Sequence, residues 1–154
     1  MQSRHDYGFL FDSTPNDFVS GELEDAIVRC DRECSPDLIL LEGQSSLRNP
    51  SGPCGSEFLC SAMAKGVILQ HVPGRTNLHF NNVSLPMPDI QGDLELIKIY
   101  GAQTLALTLN SEGLDSAELE DIRIAYQTSL GLPVFLPKEN GAEEIVSIIS
   151  QFLI

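Results

Sequence analysis

Apolar residues recur along this chain with two spacings, one typical of helices and one typical of buried strands. Over residues 17–34 they recur every three to five positions, which predicts an amphipathic helix with an acidic outer face, ended by Pro36. The run at residues 38–41 is apolar without alternation and predicts a strand buried on both faces. Glu42 and Gly43 stand where this strand would end, and a loop rich in Gly, Ser and Pro comes next.

The same two patterns alternate through the rest of the chain. The predicted helices cover residues 56–65, 89–100, 115–130 and 141–153. The predicted strands cover residues 66–71, 104–109 and 133–136, and a long loop is predicted over residues 72–88. Strand and helix alternate with short connections, which predicts an α/β fold with a doubly wound parallel sheet. Ligands of such sheets bind beyond the carboxyl ends of the strands, so the residues after each strand are the first candidates for a site.

Size and charge narrow the class of protein. The chain of 154 residues suits a single domain, over residues 1–154, that can bury a substantial core. Its 22 Asp and Glu against 9 Lys and Arg give a formal net charge of −13, which argues against nucleic acid and membrane surfaces as partners. The polar N-terminus and the lack of an apolar run of about 18 residues predict a cytoplasmic protein.

Four cysteines raise the question of a metal site. Cys30 and Cys34 are four positions apart on the predicted helix, and Cys54 and Cys60 are six apart. Neither spacing is the Cys-x-x-Cys of structural zinc sites, so reduced structural thiols are favoured over zinc.

Glu42 is the first candidate for a functional residue. A carboxylate at the end of a buried strand, followed by Gly43, is placed to reach Mg²⁺ or its waters beside a phosphate. Magnesium needs only one or two protein carboxylates and keeps water for its other positions. The alternative is a solvated acid at the point where a strand reaches the surface.

The residues after the next two predicted strands form a second group of candidates. His71, Arg75 and Thr76 surround a Pro-Gly turn, and the planar fork of an arginine matches a carboxylate or a phosphate. The alternative for Arg75 is an ion pair within the chain. His71 alone is more typical of a core or a strand end than of a catalytic base. Asn110 would either contact the edge of a base or cap a turn.

Motifs that hold phosphates are missing from this sequence. A Walker A loop needs Gly-Lys-Ser/Thr, but Lys65, Lys98 and Lys138 follow Ala, Ile and Pro. The Gly-x-Gly-x-x-Gly pattern of dinucleotide sites is missing too. A small α/β hydrolase that uses Ser45 or Ser46 is also disfavoured, because a leucine stands where the nucleophile elbow needs its second glycine.

Several segments, in chain order, resemble the DUF1611 family. They are Asn16-Asp-Phe-Val-Ser-Gly21 with Glu24, Asp37-Leu-Ile-Leu-Leu-Glu-Gly-Gln-Ser-Ser-Leu47, His71-Val-Pro-Gly-Arg-Thr76, Leu109-Asn-Ser111 with Leu114, and Leu130-Gly-Leu-Pro-Val-Phe-Leu-Pro137. The resemblance runs from about Phe11 to the C-terminus. It implies a three-layer, P-loop NTPase-like fold, related to those of dethiobiotin synthetase and the cobyrinic acid amide synthases.

The resemblance also implies an activity. Family members with an assigned reaction look like N-acetyltransferases that use acetyl-CoA on D-amino acids such as D-glutamate. The resemblance implies ATP-Mg or acetyl-CoA as the cofactor. It implies a nucleotide or a small-molecule carboxylate as the binding partner, and it does not imply a catalytic residue. By position in the family's motifs, the resemblance implies that Glu42 and Asp17 bind a metal. It implies that His71, Arg75 and Thr76 bind an anion or the substrate. It also implies that Asn110 contacts adenine, with the loop after Pro137 beside this base.

One part of the family's site is not matched in this chain. In the family the P-loop domain follows a Rossmann-like domain, and both that domain and the P-loop would precede residue 1. We therefore expect the later part of a P-loop domain, truncated or divergent, without the P-loop strand and helix. A homo-oligomer or a partner domain would supply the missing strand. The two functional hypotheses are a nucleotide- or acetyl-CoA-dependent enzyme domain and a non-catalytic α/β subunit that has lost phosphate binding.

Overall fold

The computed structural model describes residues 7–43, 46–50, 52, 54–80 and 82–153, without the side chains of residues 12, 79 and 80. The chain divides into two compact units, Met1–Ala64 and Lys65–Ile154. The expectation of a single domain over the whole chain stays a prediction. None of the described helices is both long enough and apolar enough to cross a membrane.

The first unit contains one long helix and two short ones. A 3-10 turn at Phe11–Ser13 precedes helix α1, Asn16–Cys34, and the short helix α2 is Gly55–Cys60. Helix α1 buries apolar residues at three- and four-residue spacing, as an amphipathic helix must. These residues are Val19, Leu23 and Ala26. The helix ends where Ser35 turns left-handed at φ 46°, so the helix predicted from residue 17 to residue 34 is confirmed.

The strand predicted over residues 38–41 is wrong. The backbone of these residues has no strand assignment, and the side chains of Leu38 and Leu40 are 39% and 72% exposed. A strand needs a neighbouring strand to take up its N–H and C=O groups. No described strand pairs with this segment, so an apolar run alone did not suffice. Glu42 therefore does not follow a strand in the described part of the chain.

The second unit is built on a parallel sheet. Its strands are β1 Gly66–His71, β2 Asn77–Phe80, β3 Val83–Pro86, β4 Gln103–Leu109 and β5 Val134–Phe135. Its helices are α3 Ile90–Ile99, α4 Ser116–Leu130, α5 Pro137–Asn140 and α6 Glu143–Phe152. Strands β1, β4 and β5 run parallel in the order β1-β4-β5, so the predicted α/β class with a parallel sheet is confirmed.

Strand β4 lies at the centre of this sheet and carries the core of the unit. His71 pairs with Leu109 on one side of β4, and Val134 pairs with Leu107 on the other. One buried cluster of this core consists of Leu107, Leu109, Leu119, Val134 and Leu136. Since the three strands run in the same direction, their carboxyl ends lie along one edge of the sheet.

The loop predicted over residues 72–88 contains a hairpin. Strands β2 and β3 pair antiparallel, with Asn77 opposite Pro86 at one end and Phe80 opposite Val83 at the other. The N–H of Met87 donates to the carbonyl of Thr76 at 2.9 Å. The residues of β3 are all exposed, so this strand lacks the alternation of buried and exposed positions by which a strand is recognised. The prediction of an irregular loop is therefore corrected to a hairpin flanked by loops.

Two aspartates begin helices of the second unit. The carboxylate of Asp89 accepts a hydrogen bond from the N–H of Gly92 at 2.7 Å. The carboxylate of Asp115 accepts from the N–H groups of Ala117 and Glu118, both at 2.9 Å, and Glu118 accepts from the N–H of Asp115 at 3.0 Å. This reciprocal pair is a capping box, which satisfies N–H groups that the first turn of α4 leaves unbonded.

Candidate functional site

Three loops leave the carboxyl edge of the parallel sheet, one after each strand. The loop after β1 carries Arg75, the loop after β4 carries Asn110 and Glu112, and α5 after β5 carries Lys138. The N–H of Asn110 donates to the carbonyl of His71 at 2.9 Å, which joins the first two loops where they begin. The edge therefore collects polar side chains from segments far apart in sequence, as predicted for a sheet of this kind.

A tight turn fixes the position of Arg75. The N–H of Arg75 donates to the carbonyl of Val72 at 3.0 Å, with Pro73 and Gly74 between them. A Cβ atom on Gly74 would lie 2.3 Å from the carbonyl oxygen of Glu112. Gly74 does not have a positive φ, so its role is to let the two loops approach each other rather than to adopt a left-handed backbone.

Asn110 holds the second loop in shape. Its Oδ1 accepts a hydrogen bond from the N–H of Glu112 at 2.9 Å. This is the turn-capping contact that the sequence left as one of two alternatives. Within the described residues Nδ2 of Asn110 has no protein acceptor, so one end of the amide is used by the fold and the other is available to a ligand. The contact of Asn110 with a base stays a prediction.

Arg75 and Glu112 form a two-point ion pair across the edge. Nε of Arg75 donates to Oε1 of Glu112 at 3.1 Å, and Nη2 donates to Oε2 at 2.5 Å. The hydrogen bonds from Arg75 hold the pKa of Glu112 below its ordinary value, and the charges of Arg75 and Lys138 act in the same direction. The ion pair within the chain is thus present, while binding of an external anion by Arg75 stays a prediction.

His71 is held by a tyrosine rather than by a charged partner. The hydroxyl of Tyr126 lies 3.2 Å from Nε2 of His71, and burial lowers the pKa of the imidazole against an opposing effect of Asp93. The neutral ring is therefore favoured at neutral pH. The anion or substrate roles of His71 and Thr76 stay predictions. Thr76 is exposed, and its Oγ1 accepts from Nδ2 of Asn77 at 3.1 Å.

The two predicted metal ligands belong to the first unit. Asp17, in the first turn of α1, and Glu42 are both exposed, and neither side chain has a hydrogen bond or ion pair among the described residues. The described residues also contain no group of three or more His, Cys, Asp or Glu side chains placed to hold a metal ion. A magnesium ion that keeps most of its waters needs only one or two such carboxylates. Their metal role stays a prediction.

The cysteines and serines of the first unit have simple environments where they are described. None of the four cysteines forms a disulfide; Cys54 is buried, and burial is the main cause that raises the pKa of Cys30. The Sγ of Cys34 lies 3.1 Å from the hydroxyl of Tyr7, an exposed contact. Of the two serines weighed as nucleophiles, Ser46 is exposed and Ser45 lies outside the described residues.

Sequence reasoning missed two members of the edge, Glu112 and Tyr126. Arg75 and Glu112 are separated by 37 positions and His71 and Tyr126 by 55, so no local pattern connects either pair. The available signal for Glu112 was its place directly after a strand, two residues beyond Asn110. Tyr126 gave no such signal, because it lies on a helix among polar residues.

A shallow cleft elsewhere in the second unit does not coincide with this edge. Its volume is about 590 Å³, and it is lined by Arg123, Gln127, Gly131, Leu132, Pro133, Val134, Phe135 and Glu144. These residues surround the amino end of β5, opposite the carboxyl ends of the strands. Arg123 there is already paired with Glu120 at 2.7 Å. The cleft gives no support to a site that the sequence predicted.

Comparison with known proteins agrees with the resemblance seen in the sequence. The family model described as a domain of unknown function (DUF1611_C), P-loop domain, matches residues 1–146. The crystal structure of a DUF1611 family protein from Anabaena variabilis ATCC 29413 superposes with a TM-score of 0.81 at 22% identity. The match covers 94% of this chain and 43% of that one, so the chain spans less than half the length of this relative. No curated protein matches the chain significantly. The predicted P-loop NTPase-like fold is confirmed.

Proposed function

We propose a function on the premise that this chain belongs to the DUF1611 family, whose P-loop domain it matches. The domain binds the adenine end of ATP or acetyl-CoA, in an enzyme that acts on a small carboxylate or a D-amino acid. ATP and CoA share an adenine nucleotide, so one base pocket serves either. Thiols without disulfides agree with a cytoplasmic location, which belongs to the same proposal.

The observation that carries the proposal is the position and bonding of Asn110. It directly follows β4, the central strand, at the edge where α/β sheets bind nucleotides. Its Oδ1 is fixed by the N–H of Glu112, which orients the amide before any ligand arrives. The remaining Nδ2 is a donor suited to a ring nitrogen of adenine. A preoriented donor loses little freedom on binding, which favours affinity.

The substrate side of the proposal rests on Arg75. Its guanidinium is held at the same edge and already grips one carboxylate with two hydrogen bonds. The chain has no Gly-Lys-Ser/Thr, so the grip on the phosphates has to come from a second polypeptide segment. A homo-oligomer or a partner domain is therefore part of the proposal.

The second candidate is a non-catalytic α/β subunit that keeps the sheet without binding phosphate. Two observations favour it. Arg75 is engaged by Glu112, and the described carboxylates do not gather into a metal site. Under this reading, the edge of the sheet would be a structural junction between loops and would bind no nucleotide.

Isothermal titration calorimetry of the protein with Mg-ATP and, separately, with acetyl-CoA decides between these candidates. Wild-type protein is expected to bind at least one of them. Asn110→Ala should weaken binding by about two- to tenfold, the value of one net hydrogen bond. Asn82→Ala, an exposed asparagine beside strand β3, is the matched control and should bind like wild type. Failure of wild type to bind either ligand, or equal binding by both variants, contradicts the base-binding role and leaves the non-catalytic subunit.

A further inference from the structure

The carboxylate of Glu112 lies at an edge of the sheet that also carries two basic residues. Arg75 binds it with Nε and Nη2, from the loop after β1. Lys138 is on α5, which follows the neighbouring strand β5 at the same edge of the sheet, and its charge lowers the pKa of Glu112. The segments after three neighbouring strands thus carry one acidic and two basic residues at the same edge. In a chain with 9 Lys and Arg against 22 Asp and Glu, two basic residues at one edge form a locally basic region.

We propose that Arg75 and Lys138 form the binding site for the carboxylate of a small-molecule ligand, and that Glu112 occupies this site as an internal competitor. When the ligand binds, its carboxylate replaces that of Glu112 on the guanidinium. This inference rests on the proposed function, since it names the group of the substrate that the edge recognises. It goes beyond that function by adding Lys138 to the site and by giving Glu112 an inhibitory role.

The geometry allows this exchange without a change of fold. The backbone of residue 112 is held twice, by the hydrogen bond from its N–H to Asn110 and by the close approach of its carbonyl oxygen to Gly74. The side chain is held only by Arg75, and both side chains of the pair are about half exposed, at 49% and 54%. Rotation of the Glu112 side chain into solvent therefore frees the guanidinium while the loop stays in place.

The strength of the pair also permits the exchange. Ion pairs between exposed side chains are weak, because water and salt screen them and both side chains lose freedom when they pair. A ligand can displace such a carboxylate at small cost. A buried partner would have blocked the site instead. The two-point contact with Nε and Nη2 matches the planar, two-oxygen shape of a carboxylate, so the group displaced and the group bound belong to one chemical class.

The first experiment compares Glu112→Gln with Glu120→Gln. Each variant removes one negative charge from a two-point pair with an arginine, but Glu120 and Arg123 lie on α4, away from the carboxyl ends of the strands. Acetate and inorganic phosphate are titrated into protein labelled with ¹⁵N, and the Nε–H signal of Arg75 is followed. Glu112→Gln should bind acetate about two- to fivefold more tightly than wild type. Glu120→Gln should bind acetate with the wild-type affinity. The increase in affinity caused by Glu112→Gln should be smaller for phosphate than for acetate.

A second pair of variants tests the two bases. Arg75→Ala should lose saturable acetate binding. Because this variant lacks the Nε–H signal of Arg75, binding is followed by the shifts of neighbouring backbone amides. In the Glu112→Gln background, Lys138→Gln should weaken acetate binding, because the second positive charge is removed. Equal acetate affinity for wild type and Glu112→Gln overturns the competitor role. Retention of full affinity by Lys138→Gln overturns the two-base site.

The outcomes separate this inference from the proposed function. Binding of ATP or acetyl-CoA, and its dependence on Asn110, is measured without reference to acetate. If nucleotide binds but Glu112→Gln leaves acetate affinity unchanged, the competitor role of Glu112 is wrong and the adenine site at Asn110 stands. If no nucleotide binds but Glu112→Gln gains affinity for acetate, the carboxylate site stands and the nucleotide role is wrong.

Discussion

The hydroxyl of Tyr126 lies 3.2 Å from Nε2 of His71, and the two rings meet edge to face with their centroids 5.6 Å apart. This contact joins helix α4 to the last residue of β1, at the start of the loop that carries Arg75. Burial raises the pKa of Tyr126 and lowers that of His71, so both groups stay uncharged at neutral pH. The pair is a neutral hydrogen bond inside a strongly acidic protein.

The first prediction is a stability change with pH that belongs to His71. In the unfolded chain His71 takes up its proton near its ordinary pKa of 6.5, whereas in the folded protein it does so at lower pH. Above pH 6.5 the imidazole is neutral in both states and has no effect. As the pH falls from there to the folded pKa, the unfolded state binds more protons and stability is lost.

Urea denaturation at pH 7.5 and pH 5.5, about one unit on either side of the ordinary pKa, checks this prediction. His71→Gln should lose less stability between the two pH values than wild type. Tyr126→Phe, which removes the hydroxyl but leaves the imidazole in place, should keep the wild-type pH loss even though it is less stable. The same pH loss in His71→Gln and wild type would show that other groups carry it.

The second prediction concerns the close approach at Gly74. Gly74→Ala places a Cβ atom 2.3 Å from the carbonyl oxygen of Glu112, so one of the two loops has to move. We expect a loss of about 1–3 kcal/mol in the free energy of unfolding, as for other overpacked sites. The shift should also lengthen the contact between Arg75 and Glu112, which ¹⁵N signals of the guanidinium report.

Gly21→Ala is the matched control for that substitution. Gly21 lies inside helix α1 with nothing within 4 Å of the added Cβ atom. Alanine there should raise stability by about 0.5–1 kcal/mol, since glycine is a poor helix former. If both variants change stability in the same direction, the contact with Glu112 is not what requires glycine at position 74.

The third prediction concerns the capping box of helix α4. Asp115→Ala removes two hydrogen bonds to the N–H groups of Ala117 and Glu118 and should cost about 1 kcal/mol of stability. Asp121→Ala, an exposed aspartate further along the same helix, should change stability by less than about 0.5 kcal/mol. Thermal or urea unfolding measures both. Equal effects would mean that the charge, and not the cap, is responsible.

Local patterns were sufficient to predict the parallel strands of the second unit and its helices α3, α4 and α6. Strand β1 occupies the predicted residues 66–71, and helix α4 begins one residue after its predicted start because Asp115 is the cap. Burial of β4 between two other strands explains why its apolar run was a reliable signal. The run at residues 38–41 is also apolar but has no such neighbours among the described strands, and composition does not report whether a partner strand exists.

The site was predictable only in part, for a related reason. The carboxyl ends of parallel strands meet at one edge, so His71, Arg75 and Asn110 were expected near one another, and the fold brings them together. The partners of these residues depend on contacts between distant segments. Hence the pairing of Arg75 with Glu112 required the structure, although the possibility of an ion pair was evident from the acidic composition.

The hairpin of β2 and β3 has a consequence for protein engineering. Its two ends are joined by the hydrogen bond between Thr76 and Met87, so the chain enters and leaves the hairpin at nearly the same point. The residues of β3 are exposed, and so is Asn82, which precedes it in the connection between the strands. An inserted epitope or fluorescent reporter at this connection would not alter the path of the chain on either side, since loop closure depends only weakly on length.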